Sequence, residues 1–169
     1  MTIWFTADTH FGHANIIKYC NRPFSSVEEM DRTMINNWNE RVKPDDTVYH
    51  LGDFSFKTAN RYTDRLNRNI KFLWGNHDSR SQVEHNVELL GHYYELELNG
   101  QLIVLCHYKF EVWNCSHRGA LHFYGHSHGT LAGDSQCVDV GVDNFDFAPV
   151  TLEQIRKRLT THLKRKEMF

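Results

Sequence analysis

The sequence predicts an α/β (α+β) chain in which two mixed β-sheets pack face to face as a sandwich flanked by helices. Two patterns carry this expectation. Short apolar runs alternate with amphipathic helical stretches through the first half, as in βα units, whereas the second half, from Tyr93 onward, is rich in strands. Five of the apolar runs also end in polar clusters. Trp4-Phe5-Thr6-Ala7 leads to Asp8-Thr9-His10, Val48-Tyr49-His50-Leu51-Gly52 to Asp53, and Phe72-Leu73-Trp74-Gly75 to Asn76-His77-Asp78. Ile103-Val104-Leu105-Cys106 leads to His107, and Leu121-His122-Phe123-Tyr124-Gly125 to His126-Ser127-His128. Strands that deliver polar side chains at their carboxyl ends are the usual way a sheet of this class presents a site.

Taken in order, the first strand gives way at Gly12 to a loop entering a short helix, which Arg22-Pro23-Phe24 breaks. Ser25 or Ser26 then offers an N-cap, with Glu28 or Glu29 completing a capping box. Val27, Met30, Met34, Trp38 and Val42 recur at helical spacing, so a helix runs from about Ser26 to Arg41 and ends before Pro44. Lys43 to Asp46 is a turn, Thr47 to Leu51 a strand, Thr58 to Leu66 a helix and Ile70 to Trp74 the next strand, completing a βαβ unit. A helix is expected from Ser81 to Leu90. Tyr93 to Leu98 alternates apolar and polar, Asn99-Gly100 is a favoured two-residue hairpin turn, and Leu102 to Cys106 is nearly all apolar. Further strands are expected at Leu121–Tyr124 and Cys137–Val142, and Thr151 with Gln154 caps a last helix reaching about Leu163.

The 169 residues fit one domain spanning 1–169, with hydrophobic content of 40% and charged content of 24% near globular averages. No apolar run approaches the roughly 18 residues of a membrane span, so no membrane partner is expected. The opening residues carry no basic segment, long apolar run or cleavage site, which predicts a cytoplasmic protein. Cys20, Cys106, Cys115 and Cys137 form no CxxC pair and are expected as reduced thiols. A net charge of −2 argues against a general polyanion binder, and the basic runs at Arg156–Arg158 and Lys164–Lys166 fit a solvated helix face. No stable nucleic-acid binding is expected. The 12 histidines are many for this length, and most fall at strand ends or in loops.

Asp8, His10, Asp53, Asn76, His107, His126 and His128 supply seven oxygen or imidazole donors on five strand ends, enough for two divalent ions sharing a carboxylate. Such a mixed set without thiolate suits Mn²⁺ foremost, with Fe, Zn²⁺ or Ni²⁺ as alternatives. Two such ions about 3.5–4 Å apart can activate a bridging water and hold the attacking and leaving oxygens of an in-line displacement at phosphorus. Asp139 and Asp143, on either side of Gly141, read as turn residues. His122 reads as a packing residue and His117 as a loop residue.

In these blocks the chain resembles the calcineurin-like metallophosphoesterases, whose signature runs Asp-x-His, Gly-Asp, Gly-Asn-His-Asp, His and Gly-His-x-His. The resemblance implies a metallophosphoesterase-like sandwich in which Asp8, His10, Asp53 and His128 hold one metal. Asp53, Asn76, His107 and His126 would hold the other, with Asp53 bridging. It also implies that His77 is the general acid for the leaving alkoxide, with Asp78 fixing its tautomer. The extension Gly12-His13-Ala14-Asn15, followed by Arg22-Pro23-Phe24, resembles small bacterial and phage members and makes His13, Asn15 and Arg22 candidate substrate contacts, Arg22 as a phosphate clamp. The implied substrate is a small phosphodiester, cyclic or nucleotide-like. A phosphomonoesterase or nuclease of the same family, or a non-catalytic metal-binding scaffold, remain alternatives. Scaffold relatives usually lose a ligand or the histidine of Gly-Asn-His-Asp, and this chain has all of them.

Overall fold

The computed structural model describes residues 1–56, 59–67, 69–79 and 87–166, with side chains through Leu159. Its elements are β1 (Ile3–Thr6), α1 (Ala14–Tyr19), α2 (Val27–Arg41), β2 (Thr47–His50), α3 (Asn60–Thr63), β3 (Ile70–Leu73), β4 (Val87–Gly91), β5 (Tyr93–Leu98), β6 (Gln101–Cys106), β7 (Leu121–Tyr124), β8 (Cys137–Asp139), β9 (Val150–Thr151) and α4 (Leu152–Lys166). The first sheet has the order β4-β3-β2-β1-β9 and the second β5-β6-β7-β8. Both are mixed. β1 to β4 run parallel with β9 antiparallel to β1, and in the second sheet β5 and β6 form an antiparallel hairpin while β6, β7 and β8 run parallel.

Strand periodicity divides the apolar residues between two cores. Val48, Ile70 and Phe72 face Met30, Met34 and Trp38 of α2, whereas Phe5, Tyr49 and Leu73 face Ile103, Leu105, Leu121 and Phe123 across the sandwich. Helix α4 closes the sandwich with Leu152, Ile155 and Leu159. The apolar stripe expected along α2 is therefore core. Its N-cap is Ser26, whose Oγ accepts from the Glu29 N–H, while the Glu29 carboxylate accepts from Ser25. Asn99 and Gly100 both take positive φ, 53° and 74°, as a type I′ hairpin requires. The Thr151–Gln154 capping box forms as expected.

Two expectations change. Residues 87–90 form strand β4 where a helix was expected, because Val-Glu-Leu-Leu suits either state and pairing beside β3 decides it; residues 81–86 lie outside the described residues. The helix expected over 58–66 contracts to α3 and a turn, and position 58 is not described. The outward side of the second sheet at His122 is covered by the loop after β6, with the His122 ring stacked on Phe110 at 5.1 Å. His122 packs, as its place in a strand predicted. Among the described residues no helix is long and apolar enough to cross a membrane.

The start of β1 is tied down by one carboxylate. Asp46 accepts hydrogen bonds from the Thr2 N–H at 2.6 Å, the Trp4 indole N–H at 3.0 Å and the Lys43 N–H at 3.0 Å. The main-chain donors of Lys43 and Thr2 pull its pKa down to about 2. A depressed pKa stabilises the fold above the unfolded value of 3.8, and that contribution is lost as pH falls towards 2. Asp46→Ala should therefore cost about 1–3 kcal/mol at pH 7 by denaturant unfolding. The gap to wild type should narrow in acid, and a gap independent of pH would contradict this role.

Candidate metal centre

The candidate ligands sit on five turns that leave the carboxyl ends of β1, β2, β3, β6 and β7. Asp8, His10, Asp53, His126 and His128 all adopt left-handed backbone, with φ between 46° and 66°. Each such residue costs on the order of 1–3 kcal/mol and persists only where its surroundings fix it. Main-chain bonds supply that fixing. The Asp8 N–H donates to Gly52 O at 3.0 Å, the His10 N–H to Asp53 O at 3.0 Å, and the His126 N–H to both oxygens of Asp8 at 3.0 and 2.9 Å. A bridge between Ala7 and Gly141 joins the two sheets at this edge, so their strand ends converge.

Close approach explains the glycines before two ligand blocks. A β-carbon at Gly75 would stand 2.2 Å from Asp53 Oδ1, and one at Gly125 would stand 2.6 Å from Asp8 Oδ2. Neither position has room for a side chain.

The donors form two groups, Asp8 with His10 and His128, and Asp53 with His107 and His126, each with its ligand atoms within 4.8 Å of one another. Between them lies Asp53 Oδ2, 3.5 Å from His10 Nε2 and 3.5 Å from His107 Nε2. The other oxygen, Oδ1, is taken by the His77 N–H at 2.9 Å. In the second group the Asn76 amide oxygen lies 3.0 Å from His107 Nε2, and His107 Nδ1 donates to Leu51 O at 2.8 Å, which leaves Nε2 as the free ring nitrogen. Lone pairs thus converge from Asn76, Asp53 and His107, an arrangement that repels itself unless a proton or a cation sits among them.

The first group points the same way. His10 Nε2 is buried without a hydrogen-bond partner, and burial pushes its imidazole down to about 3, so the ring is neutral and able to ligate. Burial also pushes the Asp8 carboxyl up to about 7, against the pull of His128 and His107, which is the mark of a site short of positive charge. Burial opposes a charged His128, but its hydrogen bond to Asp143 prevails and holds the ring up at about 10, so a cation here takes the place of a proton. A divalent ion fits each group.

The structure reassigns several expected roles. The Asp78 carboxylate accepts from the N–H groups of Asp53 at 2.6 Å, Gly75 at 2.8 Å and Phe54 at 3.0 Å. It anchors the Asp53 turn instead of pairing with the His77 ring. Arg22 is no phosphate clamp either. Its side chain is buried, donating to Asp143 at 2.7 and 2.9 Å and to the carbonyls of Asp8 and Thr9 at 2.7 and 3.1 Å. His77 stands exposed with its ring 5.5 Å from His10. His13 lies at the rim, 5.6 Å from His10 and stacked on Phe56 at 4.9 Å. Asn15 is exposed on α1, and among the described residues no hydrogen bond ties it to the ligands. His117 is likewise exposed, in a 3-10 turn.

Two residues that read as turn positions shape the site instead. Asp143 accepts from His128 Nδ1 at 2.8 Å, leaving Nε2 to ligate, and Asp139 accepts from Ser127 Oγ at 2.6 Å and Gly129 N–H at 2.9 Å, fixing the turn that carries His128. Buried His50 links the first two turns: its Nδ1 accepts from the Gly52 N–H at 3.2 Å and its Nε2–H donates to Thr9 Oγ1 at 3.1 Å. Tyr108 also borders the site, its ring 4.8 Å from that of His126.

The profile of the calcineurin-like phosphoesterase superfamily domain matches residues 1–141. The chain belongs to this superfamily. An uncharacterized protein of Methanocaldococcus jannaschii is 36% identical to it over 167 residues, spanning 92% of this chain and 89% of its own. The Gene 66 protein of Mycobacterium phage L5 is 33% identical over 99 residues, 54% of this chain and 47% of its own. The crystal structure of a protein of unknown function from Aquifex aeolicus superposes with a TM-score of 0.74 at 26% identity, covering 92% of this chain and 97% of that one. Calcineurin-like phosphoesterases are metal-dependent hydrolases, so phosphoester hydrolysis is this chain's class of activity and the two donor groups are its candidate metal sites.

Within this phosphoesterase, Arg22 and Asp143 form a buried pair whose disruption leaves an uncompensated charge. Arg22→Ala should lower stability by about 3–5 kcal/mol in thermal unfolding. An unchanged melting temperature combined with a raised KM would return Arg22 to the substrate. Asp143→Asn should weaken metal binding about 10–100-fold in a titration, the usual cost of losing a carboxylate behind a ligating histidine.

Proposed function

We propose that the protein is a two-metal phosphodiesterase acting on small, cyclic or nucleotide-like diesters. The observation that carries the two-metal part is the position of Asp53 Oδ2, equidistant at 3.5 Å from a histidine of each donor group. Asp8, His10, Asp53 and His128 would hold one divalent ion and Asp53, Asn76, His107 and His126 the other, Mn²⁺ being favoured by the oxygen and imidazole donors. When bound, the pair supplies Lewis-acid charge for the phosphate oxygens and an activated water for attack.

The chain's own groups do the rest. His77 is held by its main chain, through the N–H bond to Asp53, while its side chain is exposed with the ring 5.5 Å from that of His10 and 6.5 Å from that of His13. An imidazole so placed can donate a proton to the departing oxygen. His13 lines the same rim and is set to orient the substrate. The placement of Arg22 supports the diester reading. Turned inward onto Asp143, it adds no guanidinium for the second negative charge of a monoester, so a monoanionic diester is the better match.

Metal-stripped protein should hydrolyse aryl phosphates only after Mn²⁺, Ni²⁺, Zn²⁺ or Mg²⁺ is restored, with the diester turned over faster than the monoester. Turnover without metal would overturn the two-metal reading, and a faster monoester would make the enzyme a phosphomonoesterase. His77→Ala should lower kcat by about 10²–10⁴-fold on an alkyl ester, whose alkoxide needs a proton to leave, and much less on an aryl ester, with metal content unchanged. Equal losses on both esters would make His77 a positioning residue.

A further inference from the structure

An open cavity of about 690 Å³ starts at the metal centre and extends between α1 and the turn after β7. His126 and His128, one from each donor group, line it together with Ile16, Tyr19 and Leu131. Tyr19 and Leu131 are 73% and 50% exposed, although large apolar surface is costly to leave in water. The Tyr19 ring meets the His13 ring edge-on at 6.3 Å, which relates it to the rim of the site. Asn21 adds an amide to the lining, on a left-handed residue just past the end of α1.

The chemistry of the lining restricts what enters. Among the described residues neither a carboxylate nor a lysine or arginine contributes to it, so it offers nothing to a second phosphate or a charged tail. Cys20 adds a thiol, and the hydroxyls of Ser127 and Thr130 also line the cavity but donate to Asp139 and to the Ser127 carbonyl. Apolar walls with a few neutral polar groups suit a flat, uncharged group, and the volume is within the range of small-molecule sites. Because the cavity opens directly onto His126 and His128, a phosphate held by the metals would place its organic substituent there.

Resting on the phosphoesterase reading above, we infer that this cavity binds a planar, uncharged aromatic substituent of the substrate, with Tyr19 and Leu131 as its contact surfaces. A nucleobase and a simple aryl ring share that chemistry.

The test is a set of dissociation constants measured by calorimetry on Mn²⁺-loaded protein. The probes are inorganic phosphate, methyl phosphate, phenyl phosphate and a nucleoside 5′-monophosphate. Phenyl phosphate should bind on the order of tenfold tighter than methyl phosphate, which has the same charge. Tyr19→Ala should remove most of that difference while leaving inorganic phosphate unchanged, and Leu131→Ser should reduce it independently. Both positions are exposed, so folding is preserved. A nucleotide that binds tighter than phenyl phosphate, with the excess lost in Asn21→Ala, identifies a base as the occupant; equal affinities identify an aryl ring alone. Equal binding of phenyl and methyl phosphate to wild type would overturn the inference, as would a uniform loss on all probes in Tyr19→Ala. If inorganic phosphate itself fails to bind the metal-loaded protein, the proposed two-metal phosphate site fails first and the cavity's role falls with it.

Discussion

The carboxylate of Asp53 is the fixed point around which the site is built. Burial alone would push its pKa up, but the hydrogen bond and charge of His107 and the His77 N–H hold it well below the usual carboxylate range. The residue is therefore an anion whose Oδ1 is occupied and whose Oδ2 faces a histidine on either side. Asp78 fixes the main chain of the same turn. With Asp53 so restrained, the donors of both sheets have one geometry in which to meet, and the bridge from Ala7 to Gly141 holds the sheets together at that edge.

Carboxylates and backbone strain work together here. Five ligand residues are held in left-handed backbone, and much of what holds them is an acidic side chain accepting main-chain N–H groups: Asp8 for His126, Asp78 for Asp53 and Gly75, and Asp139 for Gly129. Each bond replaces a water and aims a side chain, so the conformational cost of the site is met within the fold and not at the moment of binding. The sandwich core, with Phe5, Leu73, Leu105 and Phe123 packed beneath the turns, supplies the rigidity that such strain requires.

The sequence revealed the ligands because each closes an apolar run, and a buried strand that ends in Asp, Asn or His has little structural reason to do so. It concealed whatever depends on distant contact. Arg22 and Asp143 are 121 positions apart, and nothing near either residue announces the other. The pairing of Asp78 with His77, which only the family resemblance implied, fails for a similar reason: the Asp78 carboxylate turns towards the backbone of Asp53 and Phe54, 25 and 24 positions away. Strand β4 was hidden because Val87 to Leu90 fits either regular structure, and β9 because two residues leave no periodicity to read. Left-handed ligand residues were also illegible, since Asp and His enter that region more often than most side chains but far less freely than glycine.

The central claim is that Asp53 Oδ2 bridges two cations. Anomalous diffraction from crystals loaded with Mn²⁺ tests it most directly. The account predicts two peaks about 3.5–4 Å apart with Asp53 Oδ2 between them, one beside His10 and His128 and the other beside His107 and His126. A single peak at full Mn²⁺ loading, or two peaks that do not share Asp53, would contradict it.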